Sequence, residues 1–207
     1  MGGTSYSDAA YASRLATAAE TGEDVFKHTA SIKSGTITAK VHPSLDPSRL
    51  NKLGKLIRES FDSDLHPESL PISIIFDITG SMQNVPRTFM QKLGGLMKLL
   101  TQKGYVKHPH LMFGAVGDAT CNRVPIQIGQ FEAGDELVET LSLIHLEGGG
   151  GGGYCESYEL SMYYLARHSD LHSLTKRNKK GYLFLMGDEL PYKNVSKTQV
   201  KSHIGDD

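Results

Sequence analysis

The chain has 207 residues, 39% hydrophobic and 22% charged, enough for one sizeable core with a small appendage. Its 22 basic and 23 acidic side chains nearly cancel, which removes the electrostatic reason to expect nucleic acid, because duplex binders carry a basic face. No apolar stretch is long enough to cross a bilayer and the N-terminus lacks the basic start and apolar run of a signal peptide, so no membrane contact is expected. The two cysteines, Cys121 and Cys155, make neither a disulfide framework nor a zinc motif; reduced thiols in a cytoplasmic protein are the expectation.

Ser7 to Glu20 is alanine-rich, with apolar residues at Ala10, Tyr11, Leu15 and Ala18, and reads as a helix closed by Gly22. In SGTITAKVHP, Ile37, Ala39 and Val41 alternate with polar residues, predicting a strand ended by Pro43. Leu50, Leu53, Ile57 and Phe61 form a helical stripe. The breaker segment SDLHPESLP then divides the chain into an N-terminal extension, 1–70, packing on a main domain, 71–207.

ISIIF from Ile72 is a continuous apolar run, suited to a strand buried on both faces, and it stops at Asp77. Pro86 near a first turn, then Phe89, Leu93, Leu96, Met97 and Leu100, predict a long helix stopped by Gly104. Leu111–Val116 is a second buried strand, and the alternation of Val124, Ile126 and Ile128 predicts an edge strand forming a hairpin with it. A short helix over Glu136–Ile144, a glycine loop Gly148–Gly153, a helix Glu156–His168 with Tyr158, Met162, Leu165 and Ala166 inward, and a strand Tyr182–Met186 ending at Gly187-Asp188 complete the pattern.

Alternating strands and helices imply an α/β, Rossmann-like three-layer fold: a mostly parallel central sheet with helices on both faces. Functional groups in such sheets gather outside the carboxyl ends of the strands. Asp77, Asp118 and Asp188 each follow a predicted strand, which places three carboxylates on one rim. A hard cation such as Mg²⁺ takes about six oxygen ligands. Asp77 offers a carboxylate, Thr79 and Ser81 offer hydroxyls two and four residues on, and Asp188 arrives from a neighbouring strand. Hydroxyl ligands add no negative charge, so the ion would stay electrophilic and could recruit a carboxylate from elsewhere.

These residues resemble a known family. FDITGSM is similar to the metal-ion-dependent adhesion site of von Willebrand factor A (VWA) domains, D-x-S-x-S, with Thr79 keeping the central hydroxyl. LFLMGDE resembles the strand that ends in the family's metal-associated aspartate, and LEGGGGGGYCESYELSMYYLA its glycine-rich loop and following helix. The resemblance runs from about Ile72 to Pro191 and looks closest to intracellular, bacterial or alpha-kinase-type members rather than integrins. It implies a metal site of Asp77, Thr79, Ser81 and Asp188 holding Mg²⁺ (or Mn²⁺ or Ca²⁺), no catalysis, and a protein partner, such as an AAA-type ATPase or another subunit of an intracellular complex, bound through a carboxylate on the ion. Two departures stand out. The loop threonine that many members use as a ligand is absent, leaving Asp118, Thr120 or Glu156 as replacements, and the sequence stops soon after Asp188, so the expectation is an abbreviated domain, a sheet completed by the strand around Ile37, or a fragment.

Two alternatives compete. One is a structural or assembly subunit that uses the fold without metal. The other is a metal-dependent phosphohydrolase of the haloacid dehalogenase type with Asp77 as nucleophile, for which Thr79 stands where a second acid is required. Simpler readings cover the remaining features. Asp118 is a turn residue in GDAT, Glu156 a first-turn helix acid, and the glycine run a hinge or lid, since no G-x-x-x-x-G-K-[ST] is present. His108-Pro-His110 reads as a solvated loop on the rim opposite Asp77; Tyr154, Tyr158, Tyr163 and Tyr164 as core and rim packing; and KRNKK around Lys176 as a solvated turn.

Overall fold

The computed structural model describes residues 6–38, 40–50, 54, 57–150 and 153–206. In chain order the helices are α1 (Asp8–Thr21), α2 (Lys27–Lys33), α3 (Asn84–Gln102), α4 (Glu136–Ser142), α5 (Tyr158–Arg167), α6 (His172–Arg177) and α7 (Lys197–His203). The strands are β1 (Arg58–Ser60), β2 (Leu70–Asp77), β3 (Pro109–Val116), β4 (Ile126–Ile128), β5 (Cys155–Glu156), β6 (Ser169–Leu171), β7 (Tyr182–Met186) and β8 (Leu190–Pro191). The central sheet has the order β4-β3-β2-β7, with β2 parallel to both neighbours and β4 antiparallel on the edge. The fold is thus the expected Rossmann-like α/β arrangement, including the hairpin of β3 with β4.

Alternation along the strands sorts the core into two layers. Ile72, Ile74 and Phe76 of β2 and Leu111, Phe113 and Ala115 of β3 join Met90, Leu93 and Met97 of α3 and Leu137 and Leu141 of α4. Ile75, Met112 and Val116 face the other way, onto Tyr158, Leu160 and Tyr164 of α5 and Val200 of α7. Both central strands are buried along their whole length, which explains their unbroken apolar sequence. Among the described residues β7 pairs only with β2, and it is more exposed: Tyr182, Phe184 and Met186 border an apolar groove of about 540 Å³ beside α3.

The N-terminal helix packs on this core. Ser7 caps α1 by accepting from the Ala10 amide at 3.3 Å, and Gly22 ends it in the left-handed conformation, φ 69°. Tyr11 is buried against α3, where Gly94 supplies the room for its ring and the Met90 carbonyl accepts its hydroxyl proton.

Several expected elements differ. Around Ile37 and Val41 there is no strand, and Ala39 lies outside the described residues. Instead the Thr36 and Ile37 amides donate to the Ser31 carbonyl, folding the segment back over the end of α2. Of the helix expected over Leu50–Phe61, residues 51–53 and 55–56 lie outside the described residues, and Arg58–Ser60 is a strand paired with β6. Tertiary anchoring outweighs a short helical stripe here: the buried Arg58 guanidinium donates to the carbonyls of Ile128 and Asp46 and lies over the Tyr164 ring. Glu156 is not a first-turn helix acid but part of β5, paired with β8, so α5 starts two residues later. Its inward face is Tyr158, Leu160, Ser161 and Tyr164; Met162 and Ala166 point to solvent. Tyr158 and Tyr164 do pack in the core, whereas Tyr154 is exposed.

The KRNKK segment is only partly a solvated turn. Arg177 donates to the Asp62 carboxylate at 2.6 Å and to the Ser69 carbonyl at 2.8 Å, and Asp62 also accepts from the Ser69 hydroxyl at 2.8 Å. Burial alone would raise the Asp62 pKa, but the bonds from Arg177 and Ser69 outweigh it and hold the carboxyl well below the usual range. A depressed pKa contributes stability above the unfolded value of about 4 and loses it as pH falls further. Asp62→Ala therefore lowers stability by about 2 kcal/mol at pH 7. Urea denaturation checks this, and the gap between variant and wild type should close in acid.

Candidate functional site

β2 delivers Asp77 to the carboxyl rim of the sheet, where the chain turns sharply. Thr79 is extended, Gly80–Met82 form one 3₁₀ turn, and α3 follows. Asp77 has no exposed surface. One carboxylate oxygen, Oδ1, accepts from the Thr79 amide at 2.8 Å and the Thr79 hydroxyl at 2.6 Å. The other, Oδ2, accepts from the Tyr158 hydroxyl at 2.5 Å. Tyr158 is held by α5 and is itself buried, and its phenol pKa is raised by burial and then by the Asp77 bond.

The neighbouring strand repeats the device. Asp118 follows β3 and accepts from the Thr120 amide at 2.9 Å and the Thr120 hydroxyl at 2.7 Å, an Asp-x-Thr turn beside that of Asp77. Tyr192, just after β8, closes over it with a hydroxyl 3.1 Å from Oδ1. Asp118 is thus a turn residue, as its sequence context suggests, and also a buried member of the acidic rim.

The glycine loop lies across both turns. The Gly80 amide donates to the Gly149 carbonyl at 2.6 Å, and the Asn122 side-chain amide donates to the Gly148 carbonyl at 3.0 Å. A Cβ on Gly80 would stand 3.1 Å from that Gly149 oxygen, which accounts for glycine at this crossing. Residues 151 and 152 of the run lie outside the described residues.

Glu156 completes the rim. It is 6% exposed, and its Oε2 is buried with no hydrogen-bond partner. Burial, then the charges of Asp77, Asp118, Glu189 and Asp188, push its pKa up to about 7. Among the described residues no Lys, Arg or His forms an ion pair with any of these five acids. The rim is a concentration of negative charge with one buried oxygen unsatisfied, and such a group costs free energy until something pairs with it.

Of the four residues expected to bind metal, Asp77 and Thr79 are joined directly. Ser81 is exposed on the 3₁₀ turn, and Asp188 is exposed just past β7, on the same rim. Among the described residues no three His, Cys, Asp or Glu groups are arranged to hold an ion. The donor chemistry nonetheless suits a hard dication. Thr79 spends its proton on Asp77, which leaves its oxygen lone pairs available, and Glu156 has an oxygen to give. Two participants were not legible in the sequence: Tyr158, read there as packing, and the burial of Glu156, which follows from the β5–β8 pairing.

Gly187 marks how closely Tyr158 is fitted. A Cβ at Gly187 would overlap the Tyr158 hydroxyl and sit 2.5 Å from ring carbon Cζ. Gly187→Ala should displace the phenol from Asp77 and cost about 1–3 kcal/mol, read as a lowered melting midpoint. If the midpoint is unchanged, Tyr158 is not locked as described. The chain matches no protein-family model, no curated protein and no solved structure.

Proposed function

We propose that the carboxyl rim of the sheet binds a divalent cation and that this chain is a VWA-like interaction module, engaging a partner protein's carboxylate through the ion. The observation that carries the reading is the acidic rim itself: Asp77, Asp118 and Glu156 buried together without a cationic side chain, and one Glu156 oxygen unsatisfied. Asp77, Thr79, Ser81 and Asp188 are the proposed metal residues, with Asp118, Thr120 or Glu156 supplying the oxygen ligand of the absent loop threonine. Mg²⁺ best suits this all-oxygen set, with Mn²⁺ and Ca²⁺ as chemical relatives. The order of FDITGSM, the glycine loop and MGDE along the chain supports the VWA resemblance. An intracellular complex, with an AAA-type ATPase among the candidate partners, follows from that resemblance alone.

A second reading has an observation in its favour. Both Asp77 oxygens already accept hydrogen bonds, from Thr79 and Tyr158, so the fold can satisfy this carboxylate without metal, as an assembly subunit would need. The phosphohydrolase alternative has weaker support, because Thr79, a hydroxyl bonded to Asp77, stands where that chemistry needs a second acid. Thermal melting of chelator-treated protein with and without Mg²⁺ separates the first two. The metal reading expects a raised midpoint in wild type and none in Asp77→Ala; equal midpoints in wild type with and without Mg²⁺, Mn²⁺ or Ca²⁺ favour the metal-free subunit.

A further inference from the structure

We propose that His66, His108 and His110 form a second metal site, for a borderline dication of the zinc class, at the rim opposite Asp77. The sequence reading of His108-Pro-His110 as a solvated loop does not describe what the fold does with it. His110 lies in β3 and is 3% exposed, and His108 precedes the strand by one residue, two positions away, a spacing that puts side chains on one face of an extended chain. His66 arrives from the loop before β2, pinned by a reciprocal pair of backbone hydrogen bonds with Ser63. Its ring centre stands 5.8 Å from that of His108 and 5.3 Å from that of His110. Two imidazoles on one tetrahedral ion, each with a metal–nitrogen bond of about 2.0–2.1 Å, put their ring centres roughly 5 Å apart.

Three ring nitrogens of His66 and His110 lack a partner. His110 Nδ1 is 3.1 Å from the Ser60 hydroxyl, which leaves Nε2 buried without a hydrogen bond, and both ring nitrogens of His66 are likewise enclosed and unpartnered. In a second histidine group, His28 and His42 hydrogen-bond to the Lys40 carbonyl and the Ser44 hydroxyl, and His145, beside His28, keeps one buried nitrogen, Nδ1, without a partner. Three imidazoles without thiolate or carboxylate suit Zn²⁺, Co²⁺ or Ni²⁺ and not Mg²⁺. A cavity of about 210 Å³ reaches His66 from the side of Lys107 and Pro109. The three rings do not yet converge on one point. Turning the half-exposed His66 and His108 rings toward the buried His110 would assemble the site, with water in the fourth position.

This site is independent of the Asp77 reading: β2 and β3 separate the two rims by eight residues, about 25 Å. The test is Co²⁺ titration of the tag-free, chelator-treated full chain, followed by visible absorption. Wild type and Asp77→Ala should develop the same saturable ligand-field bands, which H66Q and H108Q should lose or need at least tenfold more Co²⁺ to reach. Zn²⁺ in hundredfold excess over its Kd should raise the wild-type melting midpoint by roughly 5–10 °C. No bands and no Zn²⁺ shift in wild type would overturn the proposal. So would undiminished bands in both glutamine variants, with folding confirmed by far-ultraviolet circular dichroism.

Discussion

Phe113→Ala should lower stability by about 3–5 kcal/mol, the largest effect of any single truncation considered. Phe113 is fully buried at the middle of β3, and its ring meets those of Phe76 on β2 and Phe89 on α3 at centroid distances of 6.3 and 5.6 Å. The three rings tie the two central strands to the helix that begins at the Asp77 turn. Losing the Phe113 ring leaves a cavity between strands and helix. Against a typical total of about 5–15 kcal/mol, this removes a large fraction and should lower the melting midpoint by roughly 10 °C. A change under 1 kcal/mol by urea denaturation would mean that the sheet and α3 do not share this core.

The second large effect is electrostatic. The Glu156 pKa rises from an ordinary 4.5 to about 7 on folding, through burial and then the neighbouring acids. The folded state therefore holds more protons than the unfolded one between those values, and stability falls as pH rises across them. Linkage arithmetic makes the cost on the order of 2–3 kcal/mol by pH 8. Glu156→Gln removes it: the variant should be more stable than wild type at pH 8 and equal to it near pH 4. Denaturation midpoints across that range check the sign as well as the size. A variant less stable than wild type at pH 8, in chelator, would contradict the placement of Glu156 among unpaired acids.

Much of the architecture was readable from residue pattern. ISIIF and LMFGAV are buried on both faces of a parallel sheet, so their apolar runs carry no ambiguity of face, and each ends at the acid the sequence pointed to. The long α3 was marked by its apolar spacing and Pro86, and α1 by alanine content and Gly22. Failures fell where short segments take their conformation from distant partners. Arg58–Ser60 is a strand because β6, more than a hundred residues on, pairs with it. Glu156 left the helix because β8 pairs with β5. At the site, Asp77 and Thr79 were adjacent in sequence and their bond was foreseeable. The Tyr158–Asp77 bond spans 81 positions and depends on how α5 packs, which no local pattern encodes. The histidine group escaped for the same reason: His108 and His110 were visible as a pair, but His66 joins them only through the loop before β2.

The most direct measurement is Mn²⁺ binding at the acidic rim, followed by the loss of the free-ion electron paramagnetic resonance signal as chelator-treated protein is added. H66Q serves as the background, so that the histidine group does not contribute. Saturable, Mg²⁺-competed binding to H66Q that disappears when Asp77→Ala is added is the result expected if the Asp77 rim holds a dication. Undiminished free Mn²⁺ in the presence of H66Q, or binding that survives Asp77→Ala, would contradict it.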